Sequence, residues 1–230
     1  MKLVDAIVAR ATVHADWRRG IHAHPELAYN EHRTTDFVAD RLIEFGIPIV
    51  RGLGKTGIVG TVKAVRSDRS IGLRADMDAL PLEEMNRFAQ RSQHAGVMHA
   101  GGHDGHTAML LAAAEHRVST RNFDGIVRFI FQLAEDGEAG AKAMMDDGLF
   151  EDFPMEAVNG LHPDWGSRSG IWQCAPAPRR QPWIFSQRAF TVSAGTPRSR
   201  IWLSIRSWSV RNWYRRGRRS CRAQSNRSGP

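Results

Sequence analysis

Short apolar runs rich in β-branched residues, each closed by turn formers or by an acid, alternate along this chain with stretches of helical periodicity. Few folds accept that alternation. Residues 57–62 (GIVGTV), 71–76 (IGLRAD) and 125–131 (GIVRFIF) read as strands. Residues 2–19 and 32–45 read as amphipathic helices, the second from apolar spacing at Phe37, Val38, Leu42, Ile43 and Phe45 with a stop at Gly46. Further helices are expected at 107–118 (TAMLLAAAEHRV) and 138–147. This order predicts an α/β domain with a central mixed sheet flanked by helices.

Composition sets the scale and divides the chain. At 230 residues and 42% hydrophobic content it can bury a good-sized core. No run approaches the about 18 apolar residues of a membrane span. Asp5, Arg10 and His14 interrupt the N-terminus where a signal peptide needs an unbroken apolar segment. Cys174 and Cys221 are too few for a disulfide framework, so a reducing, cytoplasmic location is expected.

The formal charge of +8 is not spread evenly. Residues 1–177 hold 19 Lys plus Arg against 24 Asp plus Glu, whereas 178–230 hold 13 arginines, no lysine and no acid, with Trp183, Trp202, Trp208 and Trp213 among them. Two units are therefore expected: 1–177 as the working domain and 178–230 as a poorly ordered Arg/Ser/Trp-rich tail. That composition is what a coding sequence read out of frame produces. The competing reading is a basic tail that binds nucleic acid, since phosphate contacts need only positive charge.

The chemistry gathers at residues 98–106, MHAGGHDGH, which place three imidazoles and a carboxylate in nine positions. Imidazole nitrogen and carboxylate oxygen hold zinc and similar divalent ions, and Gly101, Gly102 and Gly105 permit tight backbone. A histidine-rich loop also occurs on ordinary surfaces, so the metal reading needs partners elsewhere. They stand at strand ends, where open α/β sheets carry their functional groups: Asp76 and Asp78, Glu135 and Asp136, and His162 after the run 157–161.

Adjacent Glu135 and Asp136 suit a division of labour in which one carboxylate holds metal and the other takes a proton from water; a solvated acidic turn is the alternative. Alternate strand residues point to opposite faces, so Asp76 and Asp78 can share one metal only if the strand ends by Met77. They are expected to orient ligands or to touch metal themselves. His22 and His24 are read as hydrogen-bonding groups at a helix-to-loop junction, with ligation the alternative. His14, His32, His94 and His116 are expected on exposed faces.

The motifs RRGIHAHPEL, RGLGKTGIVG, GLRADMDALP, MHAGGHDGHTAML, FQLAEDGEAGA and GLH, in this order, resemble the M20 metallopeptidase family, in the amidohydrolase branch with hippurate hydrolases and N-acyl-amino-acid amidohydrolases. The resemblance runs from about residue 10 to about 177. It implies a zinc-exopeptidase-like catalytic domain, cut off here before the lid domain, binding two divalent ions (Zn²⁺ or Mn²⁺) and hydrolysing N-acyl amino acids, and a homodimer in full-length members. By motif, His103, Asp136 and His162 would be metal ligands and Glu135 the general base, with Asp76, Asp78, His99 and His106 supporting them.

Three departures stand out. Similar proteins carry a cysteine ligand where this chain has Gly101, and glutamate where it has Asp136, which shortens the reach by about 1.5 Å. The tail replaces the lid and the segment expected to return a last histidine. Weakened metal binding, an open sheet edge and an inactive product are therefore expected. Within the family the alternatives are an aminoacylase-like or dipeptidase-like preference. From another class, the alternative is a relic scaffold with a nucleic-acid-binding tail.

Overall fold

Among the described residues the chain forms α1 (Asp5–Ala9), α2 (Ala11–Ala23), α3 (His32–Glu44), β1 (Ile49–Leu53), β2 (Gly57–Lys63), β3 (Ser70–Asp76), α4 (His103–Thr120), β4 (Ile126–Gln132), α5 (Gly140–Asp146), α6 (Leu149–Asp152), β5 (Ala157–His162), β6 (Ser186–Ala189) and β7 (Ser204–Ser209). The structure, a computed structural model, describes residues 4–64, 67–136 and 139–162, with side chains as far as Gly160, and the backbone of 186–189 and 204–209.

One mixed sheet runs β1-β2-β4-β3-β5-β7-β6. β3 pairs in parallel with β4 and with β5, while β2 is antiparallel to β4 and to β1. Strand β4 shows why the sheet is sandwiched. Val127, Phe129 and Phe131 are buried with Trp17, Val38, Leu42, Leu110 and Leu111 of the helices on one face. Ile130, pointing the other way, packs with Met144, Leu149 and Phe153 around α5 and α6. A strand buried on both faces is a near-continuous apolar run rather than an alternating one, which is how its sequence reads apart from Arg128 and the terminal Gln132. No helix among the described residues is long and apolar enough to cross a membrane.

Three element boundaries differ from the sequence reading. The single helix expected over 2–19 breaks at Arg10 (φ −103, ψ 8) and then continues to Ala23. Strand β1 was not expected, because Gly52 interrupts its pattern; the register with β2 shifts between Arg51 and Leu53 at that glycine. Helix α4 starts at His103 rather than Thr107. Gly102 takes a left-handed φ of 81° as its N-cap, whereas Gly101 and Gly105 stay out of that region, so only one of the three glycines works as a conformational pivot. Strand β5 is paired along its length with β7, from Ala157 opposite Ser209 to His162 opposite Ser204, and the sheet ends on β1 and β6 among the described residues.

The parallel strands end together. Asp76 closes β3 opposite Gln132, the last residue of β4, and His162 closes β5. Helix α4 begins at this same edge, because the Thr107 hydroxyl donates to the Asp76 carbonyl at 2.9 Å.

His22 of α2 ties the surrounding loop down. Its Nδ1 lies 2.9 Å from Asp104 Oδ2 and its Nε2 3.1 Å from Glu84 Oε1, so it does form the hydrogen-bonded junction expected of it. Glu84 also accepts the Asn86 side-chain amide at 2.9 Å, which organises the loop before α4. Burial works against a charged His22 ring, but Asp104 and then Glu84 outweigh it and raise the group above its ordinary 6.5. A histidine raised on folding contributes stability that is complete below its unfolded value and is lost as pH rises through its folded value. The midpoint difference between the unaltered chain and His22→Gln should therefore be large at about pH 6, equivalent to about 1.5–3 kcal/mol, and shrink toward about pH 9. Thermal melts at both pH values check it; an unchanged difference would contradict a charged His22.

Candidate metal centre

His103 opens helix α4, and its ring is held from behind. Its Nδ1 is 2.8 Å from the Asp78 carbonyl oxygen and 3.3 Å from Asp78 Oδ1. Donation of that nitrogen's proton to the carbonyl leaves the Nε2 lone pair facing the strand ends. Three carboxylates stand around Nε2: Asp76 Oδ2 at 3.9 Å, Asp136 Oδ2 at 3.9 Å and Glu135 Oε2 at 4.0 Å.

These separations exceed hydrogen-bond length and match what a shared cation requires. Donors bound at about 2.0–2.2 Å lie about 3.4 Å apart across a tetrahedral ion, and at most about 4.4 Å apart. Asp78, His103 and Asp136 form one group able to hold an ion, and Asp76, His103 and His106 another. The residues present therefore fit a divalent cation, with imidazoles and carboxylates as the donor set.

The electrostatics point the same way. Burial alone would lower His103, but Asp76, Asp78 and Asp136 overcome it and push the imidazole up to about 9. The carboxylates thus call for positive charge at this spot. Asp76 is held well below the usual carboxylate range despite complete burial, by Arg74 and by His106 and His103. Arg74 Nη1 donates to Asp76 Oδ2 at 2.8 Å and its Nε to Gln132 Oε1 at 2.9 Å. His106 Nδ1 meets Asp76 Oδ1 directly. Glu135 behaves oppositely: burial raises it, Arg74 pulls it down, and Asp76 and Asp136 push it up again, so on balance it binds a proton more readily than a free glutamate.

Strand β3 ends at Asp76, and Met77 is buried beyond it. That satisfies the condition under which Asp76 and Asp78 can face one centre, and both reach His103. Asp78 also accepts the backbone N–H of Asp136 at 3.2 Å. Asp136, although a methylene shorter than glutamate, brings its Oδ2 to 3.9 Å from His103 Nε2.

Gly101 lies alongside. A Cβ placed on it would stand 2.9 Å from His103 Nε2, so the side-chain direction of position 101 points at the same nitrogen as the carboxylates do.

Other expected members are placed differently. His99 is buried, but neither ring nitrogen has a hydrogen-bond partner among the described residues. It packs 6.3 Å from the His22 ring, and burial drives it down to about 4, which keeps it neutral. It belongs to neither candidate ion group. The side chain of His162 lies outside the described residues, although its backbone ends β5 at the correct edge. His24 sits by His94, ring to ring at 5.8 Å, away from the centre. His14, expected on an exposed face, is mostly buried and pairs with Glu115 at 2.9 Å.

Arg74 and Glu84 were passed over in the sequence. Arg74 had a signal, a charge inside an apolar strand run, which is a costly placement without a partner. Glu84 had none.

The family model described as "Peptidase family M20/M25/M40" matches residues 72–201, reaching past the composition break near residue 178. The chain is 50% identical over 145 residues to hippurate hydrolase of Campylobacter jejuni, which covers 63% of this chain and 38% of that one. It is 42% identical over 148 residues to N-acyl-L-amino acid amidohydrolase of Geobacillus stearothermophilus, covering 64% of this chain and 40% of that one. It thus spans about two fifths of the length of these curated relatives. Among solved structures, the YXEP protein of Bacillus subtilis, described as a dinuclear metal-binding peptidase from the M20 family, superposes with a TM-score of 0.64 at 27% identity over 89% of this chain and 64% of that one. The mixed sheet, the strand-end carboxylates around His103 and the family match together place the chain in peptidase family M20/M25/M40.

Proposed function

We propose that this chain carries the site of a metal-dependent amidohydrolase that cleaves the amide bond of N-acyl amino acids of the hippurate type. The observation that carries the reading is the convergence of Asp76, Glu135 and Asp136 on His103 Nε2 at 3.9–4.0 Å. The names of the relatives support the substrate class.

His103 and Asp136 would hold a divalent ion, Zn²⁺ or Mn²⁺, with Asp78 behind His103 and Asp76 near its Nε2, and with His162 as a further ligand. A second ion has support in the dinuclear neighbour. A bound divalent ion polarises the scissile carbonyl and acidifies water. Glu135 takes the proton of the attacking water as oxygen adds to the carbonyl carbon, and returns it to the departing nitrogen as the C–N bond breaks. Its raised affinity for a proton suits both transfers. The products are a carboxylic acid and a free amino acid.

Position 101 is read as the place of an absent thiolate ligand, which weakens metal binding in this chain. Residues 178–230 are read as a unit apart from the catalytic one in composition, although their strands β6 and β7 join the same sheet.

Hippurate hydrolysis by the full chain with Zn²⁺ or Mn²⁺ tests the reading, with benzoate and glycine as the measured products. Slow, metal-dependent turnover is expected. Glu135→Gln should lower kcat by about 10²–10⁴ while Zn²⁺ affinity, measured by calorimetry, changes little. Metal-dependent turnover that is indifferent to Glu135→Gln would remove Glu135 from its assigned role.

The backbone of Gly101 lies outside the left-handed region, so a side chain there needs no strained backbone, but the His103 ring has to shift to admit its Cβ. Gly101→Cys should tighten Zn²⁺ binding by about tenfold or more, about 1.4 kcal/mol. Equal or weaker binding by calorimetry would argue against a ligand place at 101.

A further inference from the structure

Glu31 is a carboxylate with no exposed surface, far along the chain from every residue in the site. It stands at the N-cap of α3, yet its side chain does not cap that helix. Glu26 does so instead, accepting the N–H of Arg33 at 2.9 Å and of Thr34 at 2.8 Å. Glu31 is thereby released to turn inward. Its Oε2 accepts the Thr56 hydroxyl at 2.6 Å and its Oε1 accepts the backbone N–H of Ala134 at 2.9 Å.

Ala134 is the residue before the general base. It has a φ of 47°, a left-handed conformation that a side-chain-bearing residue adopts only when its surroundings hold it. Its carbonyl is caught as well, by the N–H of Gly140 at 2.9 Å. Gly140 comes so close there that a Cβ on it would stand 1.8 Å from the Leu133 oxygen. The N–H of Asp136, two residues on, goes to Asp78 Oδ2 at 3.2 Å. Two N–H groups just beyond β4 are therefore gathered by two buried carboxylates. One of these, Asp78, also holds the His103 ring.

We propose that Glu31 is a positioning residue for the site: by holding the Ala134 N–H it sets the turn that carries the Glu135 and Asp136 carboxylates to His103 Nε2. The inference rests on the reading of Glu135 as base and Asp136 as ligand. A glutamate suits the task because it offers one oxygen to a hydroxyl and one to an N–H. Glutamine satisfies both partners too, its oxygen on Ala134 and its amide donating to the Thr56 hydroxyl. Aspartate keeps the charge but withdraws from Ala134 by one methylene, and methionine keeps the volume but accepts from neither.

Amide hydrogen exchange of the metal-free full chain, read at Ala134, Asp136 and, as a reference within β4, Phe129, tests the proposal in Glu31→Asp, Glu31→Met and Glu31→Gln. Exchange at Ala134 and Asp136 is expected to speed up at least about tenfold relative to Phe129 in the Asp and Met variants, and to stay within about threefold of the unaltered chain in Glu31→Gln. Co²⁺ titration followed by visible absorption should show at least about tenfold weaker binding in the same two variants only. Unchanged exchange at Asp136, or equal acceleration at all three amides, would reduce Glu31 to a general structural role and overturn the proposal. Should the unaltered chain bind no Co²⁺, the metal reading of the site fails while the exchange data still decide the role of Glu31.

Discussion

Concentrated negative charge at one edge of the sheet is the constraint on which the rest depends. Asp76, Asp78, Glu135 and Asp136 approach one another where β3 and β4 end, and carboxylates so placed repel unless a positive charge sits between them. The protein supplies Arg74 on one side, bonded to Asp76, and His103 in the middle, pushed up to about 9 by its neighbours. The Nε2 separations of 3.9–4.0 Å leave room for an ion to take over the task the proton performs in its absence.

Such a cluster must be held rigidly, and the holding groups form a layer beneath it. Asp78 binds His103 from behind and the turn of Glu135 and Asp136 from below, so ligand and base share one anchor. Glu31 extends that anchor to Ala134, and Glu26 frees Glu31 by capping α3. His22 binds Asp104, the neighbour of His103, and secures the preceding loop through Glu84. Apart from the local Glu26 cap, each tie joins residues distant in the chain, so the centre depends on the complete helix-sheet-helix packing rather than on the loop of residues 98–106 alone.

Much of this was legible in the sequence because it is local. Strands β2, β3 and β4 showed themselves by β-branched runs, and the strand-end positions of Asp76, Glu135 and Asp136 followed from them. Strand β1 was hidden by the irregularity at Gly52, and the first turn of α4 by a glycine density that reads as loop. Glu31 could not be found by any pattern, since its partner Ala134 is 103 residues away and a glutamate before a helix normally reads as a cap. His99 is a different case. Its place in the histidine-rich stretch marked it as a supporting group, and it packs by the His22 ring, outside both candidate ion groups.

The central claim is that His103 Nε2 and the Asp136 carboxylate share a cation. Diffraction from crystals of the full chain grown with Zn²⁺, recorded on both sides of the zinc absorption edge, addresses it directly. The account predicts an anomalous peak within about 2.0–2.2 Å of both His103 Nε2 and an Asp136 oxygen. Zinc bound elsewhere, with His103 still surrounded by its carboxylates and no peak between them, would contradict it.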